Sequence, residues 1–326
     1  MPKAVVYRQN GAPAETVEVI DMPDAAPGAG KVFVENILAP INPADLNTIE
    51  GKYPVRYPFP ATPGIEGVGT VTAVGADVDL KPGQAVLLPH AYGTWREGGI
   101  VEAQKLILVP EGVPYVEAAM IKVNPCTAWR MLHDYVALKP GAWVVQNAGN
   151  SGVGRAVIAI ARQIGLRTVS LVRRPELIDE LTAAGADVVL LDDDNTKEQI
   201  KARTDGAKIH LGLNSVGGES ATRVANALAS GGKVITFGAM SRQPLKIPTG
   251  LLIFKDIQFL GFWMTRWYQL AAEPEVREMF TQLFTMAKAG VFQTPIDKIY
   301  PITEVKEAVT RALQGGRAGK VLLGNN

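Results

Sequence analysis

The chain has 326 residues, enough for two domains. A hydrophobic share of 47% with 20% charged residues suits a globular protein with sizeable cores, and a net charge of +1 offers nothing global to nucleic acid or an anionic membrane surface. No run of about 18 apolar residues occurs, so no transmembrane helix is expected, and one cysteine, Cys126, excludes an intrachain disulfide.

The N-terminus enters a strand pattern at once, without the features of a signal or transit segment. A cytoplasmic location is therefore expected, in preference to the mitochondrial matrix after presequence removal. Residues 1–118 read as mostly β, with apolar runs such as Lys31–Leu38 and Gly67–Val74 punctuated by Pro27-Gly28, Pro63-Gly64 and Pro82-Gly83. After Pro125 the character changes. Trp143–Asn147 is a buried-strand run, followed by a glycine-rich turn and the helical spacing of Arg155–Ile164. Strands are expected at Thr168–Val172, Val188–Leu191, His210–Asn214, Lys233–Phe237 and Ile257–Phe262, with helices at Glu176–Ala184 and Glu219–Ala229. This alternation predicts βαβ units and a parallel sheet across 119–264. From Thr265 the tail carries helices at Glu275–Ala289 and Glu304–Leu313 and strands at Thr294–Tyr300 and Gly319–Leu323. A second strand-bearing segment suggests that 265–326 returns to complete the first domain.

The turn reads Gly149-Asn150-Ser151-Gly152-Val153-Gly154, between a strand and a helix. There, glycines let the backbone approach a pyrophosphate while helix N–H groups and the dipole stabilise its charge. Ser151 stands where the usual fingerprint has its second glycine; a bare strand–helix turn is the competing reading. NAD-specific sites place a carboxylate about 20 residues past the first glycine. Here Arg173-Arg174 follows the second strand, with Arg173 24 positions past Gly149. A guanidinium holds a 2′-phosphate with paired charge-assisted bonds, so the cofactor is expected to be NADPH, against the alternative of a solvated arginine pair. The three histidines, His90, His133 and His210, are scattered, and none forms a ligand pair with Cys126. No metal is expected. Hydride chemistry without a Lewis acid suits a substrate activated by conjugation better than an alcohol.

Four segments then bear a resemblance. They are Ile41-Asn42-Pro43-Ala44-Asp45-Leu46-Asn47 leading to Tyr53-Pro54, Val123-Asn124-Pro125-Cys126-Thr127-Ala128, Gln146-Asn147-Ala148 running into Asn150–Gly154, and Phe254-Lys255-Asp256 running to Gly261-Phe262-Trp263. Along essentially its whole length the chain resembles the zinc-free medium-chain dehydrogenases/reductases, in particular the mitochondrial trans-2-enoyl-CoA (enoyl thioester) reductases and their bacterial relatives. The resemblance implies an α/β architecture, a GroES-like β-rich catalytic domain with an inserted Rossmann domain, and a homodimer. It implies Tyr53 as proton donor. It implies NADPH contacts at Asn124, Asn150, Ser151, Gly152, Val153, Arg173, Arg174, Phe237, Gly238, Ala239, Met240, Phe262, Trp263, Met264, Thr265 and Lys320. Which arginine holds the phosphate is open, because the two are adjacent and Pro175 follows.

The expected reaction is reduction of the 2,3 double bond of an enoyl thioester linked to CoA or to an acyl carrier protein. Hydride goes to Cβ, charge develops on the thioester oxygen, and an acid protonates Cα. Tyr53 is the candidate acid, or else a loop aromatic over the cleft. Phe262, Trp263 and Trp267 wall the acyl pocket or pack the core, and Arg56 and Arg266 are candidate partners for carrier phosphates. Two rivals remain: a quinone or enone oxidoreductase of the same fold, and a non-catalytic NADPH-binding protein like some lens crystallins.

Overall fold

The computed structural model describes residues 1–324. The chain divides into two compact units, Met1–Val123 with the tail from Thr281, and Asn124–Phe280. The second unit is built on six parallel strands: Trp143–Gln146, Arg167–Val172, Val188–Leu191, Leu211–Asn214, Lys233–Thr236 and Gln258–Gly261. Numbered by chain position, their order across the sheet is third, second, first, fourth, fifth, sixth. That is the doubly wound dinucleotide-binding order, with its switch point between the first and fourth strands. Val145, Val169, Leu213 and Val234 are fully buried, as expected of a sheet covered on both faces. Helices Gly152–Gln163, Glu176–Ala183, Thr196–Arg203 and Gly218–Ala227 return the chain between strands.

In the first unit a seven-stranded sheet has the path Ile296–Tyr300, Lys320–Gly324, Lys31–Pro40, Val68–Val74, Ala85–Leu87, Ile107–Leu108, and Gly98–Glu102 also pairs with Lys31–Pro40. Its pairings are antiparallel except between the two tail strands. The tail is integral to this sheet: Leu322 lies opposite Pro40. Its core joins residues from both chain segments, among them Val5, Ile41, Ile49, Trp95, Val309 and Val321.

The division at Thr281 falls later than the 265 read from the sequence. Residues 265–280 sort with the parallel-sheet unit because they are fastened to its first helix, Asn124–His133. The Arg130 guanidinium lies 4.5 Å above the Trp267 ring and pairs with Glu275. The strand alternation used for the sequence boundary stops before this segment.

Candidate active site

In the parallel-sheet unit the first strand ends in Asn147 and Ala148, and Ala148 has φ 49°, in the left-handed region. Such a conformation costs a non-glycine residue on the order of 1 kcal/mol, and it aims the chain into the glycine turn. Ser151 is the N-cap of helix Gly152–Gln163, and its hydroxyl accepts from the Gly154 amide at 3.1 Å. The serine in place of the usual second glycine is thus a helix cap. The amides of Gly152 and Val153 open the first turn, where a helix offers no internal acceptor and the dipole favours an anion. Two glycines here are closely packed; Gly154 is sterically required because its neighbours are backbone atoms, whereas at Gly152 the Asn124 side chain would have to move. A Cβ on Gly152 would lie 2.7 Å from Nδ2 of Asn124, and one on Gly154 would lie 2.5 Å from the Gly149 carbonyl oxygen. Asn124 is therefore packed onto the turn, and the cradle is one that side chains would fill.

The other expected nucleotide residues of this unit follow the C-terminal ends of its strands. Arg173 and Arg174, both exposed, follow the second strand. Arg174 sits 3.4 Å from Glu176, whereas Arg173 has no carboxylate partner among the described residues. Phe237–Met240 follows the fifth strand; the Phe237 amide bonds to the Asn214 carbonyl and the Met240 amide to that of Ser215. Phe262 and Trp263 follow the sixth, and Trp263 caps the helix Met264–Leu270, in which Met264 and Thr265 are buried. Beneath these ends lies a polar network that the sequence reading missed. Asn147 donates to Asn214 and Ser220, both at 2.8 Å, and accepts from the Ser215 amide at 2.7 Å. Two buried asparagines bridging strands at the switch point fix the loops above them. The Asn in Gln146-Asn147, ending an otherwise apolar strand, was the available signal.

Tyr53 and Lys320 belong to the other unit. Tyr53 is half-buried in a loop after helix Pro43–Ile49. That helix is opened by a capping box: Asp45 Oδ2 accepts from the Asn42 amide at 2.8 Å while the Asn42 side chain meets the amide of residue 45. Asn42 then joins three distant segments. Its Nδ2 donates to Glu66 Oε1 at 2.8 Å, and its Oδ1 accepts from Lys320 Nζ. Glu66, fully buried, also accepts from the Val123 amide at 2.8 Å. Burial pushes the Asp45 carboxyl up to about 7, against the Asn42 amide bond, and the Glu66 charge adds to the rise while Lys320 opposes it. Burial also raises Glu66 and lowers Lys320. Asp45, Thr48, Tyr7, Tyr57 and His90 line a pocket of about 300 Å³. His90 is pushed down to about 4 by burial and then by Lys122, so its imidazole is neutral at pH 7. Burial raises Tyr57, with further contributions from Asp45 and Tyr53.

Comparison with known proteins agrees with this anatomy. The family model described as "Alcohol dehydrogenase GroES-like domain" matches residues 28–111, and that described as "Zinc-binding dehydrogenase" matches 152–284. The chain is 39% identical to the human mitochondrial enoyl-[acyl-carrier-protein] reductase over 98% of its own length and 88% of that protein's. The chain belongs to the medium-chain dehydrogenase/reductase family, in its enoyl thioester reductase branch. This medium-chain reductase also superposes on a complex of Etr1p with NADP and crotonyl-CoA, with TM-score 0.91, 29% identity and 99% of each chain covered. A putative NADPH:quinone reductase from Bacillus thuringiensis gives TM-score 0.91 at 26% identity, covering 100% of this chain and 99% of that one. The expected preference for the cytoplasm has no support from these relatives, since the human protein's name is mitochondrial. No helix among the described residues is long and apolar enough to cross a membrane, and no group of three or more His, Cys, Asp or Glu among them is placed to hold a metal ion.

Proposed function

We propose that this medium-chain reductase reduces the 2,3 double bond of trans-2-enoyl thioesters to the saturated acyl thioester, with NADPH as reductant. One observation carries the reading: a nucleotide cradle and a phenol-bearing loop occur together in a chain similar, over nearly its whole length, to enoyl thioester reductases. The cradle fits NADPH. Gly152 and Val153 would present amides to the pyrophosphate, Asn124 backs the turn, and Arg173, which has no carboxylate partner among the described residues, supplies a guanidinium for the 2′-phosphate. Asn150, Ser151, Phe237–Met240, Phe262–Thr265 and Lys320 complete the proposed contact set. When bound, NADPH supplies the hydride that Cβ of the conjugated thioester accepts. The Tyr53 hydroxyl hydrogen-bonds the oxygen on which charge develops, and its proton passes to Cα directly or through a water. The half-buried phenolate recovers its proton from solvent. Supplying a donor where charge appears only in the transition state favours turnover over mere binding.

Two finer points belong to the same proposal. The carrier on the thioester is CoA or an acyl carrier protein. Two copies pair through the edge strand Gln258–Gly261, which exposes Leu260 close in sequence to exposed Ile253 and Phe254. The quinone reading shares the fold and the cofactor. Steady-state rates with crotonyl-CoA and with small quinones, each with NADPH, decide between them. A specificity constant for quinones above that for every enoyl thioester tested would sink the thioester reading.

A further inference from the structure

The segment 51–60 that carries Tyr53 includes Pro54, Pro58 and Pro60, which lack backbone N–H donors, and it contains no helix or strand. Something else must hold the phenol-bearing residue still. Its amide side is tied to the preceding helix: the Asn47 carbonyl accepts from the amides of Lys52 at 2.8 Å and Tyr53 at 3.1 Å. Its carbonyl side is tied by Arg56. One guanidinium nitrogen, Nη1, donates to the Tyr53 carbonyl, and Nη2 donates to the Gly51 carbonyl at 2.8 Å. Arg56 is exposed, yet it has no carboxylate partner among the described residues. Its two nitrogens bind neutral carbonyls on either side of the bend. A planar fork suits this task, because its donors sit on separate nitrogens in a fixed geometry that matches two acceptors, whereas the three donors of an ammonium rotate about one nitrogen. Burial, and then Tyr57, raises the Tyr7 hydroxyl, and the Arg56 cation opposes that rise.

We propose that Arg56 is a positioning residue for the reduction, bracing the Tyr53 loop so that the phenol stays aligned for proton donation; this rests on the reading of Tyr53 as the acid. The competing role, a ligand for the phosphates of the thioester carrier, would leave the guanidinium bound to substrate instead of to its own loop.

The test is a set of variants, Arg56→Met and Arg56→Lys, each made alone and with Tyr53→Phe. The readouts are kcat and KM for crotonyl-CoA, and NADPH affinity by fluorescence. Misplacing a reacting group by about an ångström costs roughly 10²-fold in rate, so Arg56→Met should lower kcat by about that factor. KM and NADPH affinity should hold, and Arg56→Lys should recover only part of the rate. With Tyr53→Phe already present, Arg56→Met should add no further loss, because the two residues act as one unit. Three results overturn the proposal. Full kcat in Arg56→Met removes it. An equal loss in both backgrounds makes Arg56 independent of Tyr53. A raised KM with kcat intact makes it a substrate ligand. Full turnover in Tyr53→Phe alone is distinguishable from all three, since it removes the acid assignment and the proposal with it.

Discussion

The two units place their functional groups by different physics. In the parallel-sheet unit, every proposed nucleotide residue other than those of helix Asn124–His133 follows the C-terminal end of a strand. Backbone geometry does most of the work there: a capped helix N-terminus, a glycine at position 154 that tolerates no Cβ, and loops hung from buried asparagines. In the other unit the site rests on side chains. Asn42, Glu66 and Lys320 come from three separate stretches and meet in a buried polar cluster, and the phenol rides on a proline-rich loop braced by an arginine. A site built from backbone is written in local sequence, whereas one built from buried side chains depends on which distant residues the fold brings together.

The contrast is sharpest at Tyr53. Tyr53→Phe keeps the ring and removes only the hydroxyl, so turnover of crotonyl-CoA should fall by roughly 10²–10⁴, the span of a general acid. NADPH affinity, a property of the backbone-built site, should be unchanged by fluorescence titration. Turnover close to the parent's would return Tyr53 to the role of a loop aromatic.

Asp45 probes the buried cluster through pH. Its folded pKa, about 7, lies above the ordinary carboxylate value near 3.8. Between those limits the folded chain therefore binds a proton that the unfolded chain does not, and stability attributable to Asp45 falls as pH rises through the window. A tenfold change in proton affinity is worth about 1.4 kcal/mol, so the effect is a few kcal/mol at most. Glu117, pushed up to about 7 by burial, acts in the same sense, and His90, pushed down to about 4, acts in the opposite one. The measurement is accordingly a difference: denaturation midpoints from pH 4 to 8 for the parent and for Asp45→Asn, which still offers an acceptor to the Asn42 amide. The variant should lose less stability with rising pH. Parallel curves would show that Asp45 is ionised throughout.

The same division explains what could be read from the amino-acid string. The six parallel strands fall within a residue or two of their expected ranges, since runs such as Trp143–Asn147, buried throughout, and Val188–Leu191, buried up to its last residue, have short, obvious ends. Helix Thr196–Arg203 was not expected. It buries only Thr196 and Ile200, so it has no apolar stripe to detect. Helix Pro43–Ile49 also escaped, although Asn42-Pro43-Ala44-Asp45 is a capping pattern. The cluster around Glu66 had a fainter signal, a lone carboxylate between Ile65 and Val68 at the mouth of a strand. Its partners Asn42 and Lys320 carry no mark in the sequence that pairs them with it.

Gly154 tests the backbone-built site directly. An added methyl would lie 2.5 Å from the Gly149 carbonyl oxygen and 2.7 Å from that of Ala148, and backbone atoms cannot swing aside. Gly154→Ala should cost about 1–3 kcal/mol, the range for overpacking, and should weaken NADPH because the turn itself must shift. The rate with saturating NADPH should be affected less than in Tyr53→Phe. An unchanged nucleotide affinity and an unchanged unfolding midpoint would mean that the turn yields freely, contrary to a rigid cradle.

The smallest expected effect is at Arg174, in contrast with its neighbour Arg173. Losing a hydrogen bond to a charged group costs about 1.5–3 kcal/mol, so Arg173→Ala should weaken NADPH by roughly 10- to 150-fold and leave NADH nearly unchanged. Arg174 is already 3.4 Å from Glu176, and both side chains are well exposed. An exposed pair of this kind contributes at most about 1 kcal/mol, but the carboxylate offsets the field that Arg174 would otherwise present to a phosphate. Arg174→Ala should therefore change NADPH affinity by no more than a few-fold, on the order of 1 kcal/mol. Glu176→Gln should recruit Arg174 and tighten NADPH slightly. The check is nucleotide titration of the three variants at one ionic strength, since screening alters every charge–charge interaction involved. A larger loss in Arg174→Ala than in Arg173→Ala would reverse the assignment and would mean that Arg174 leaves Glu176 when the 2′-phosphate arrives.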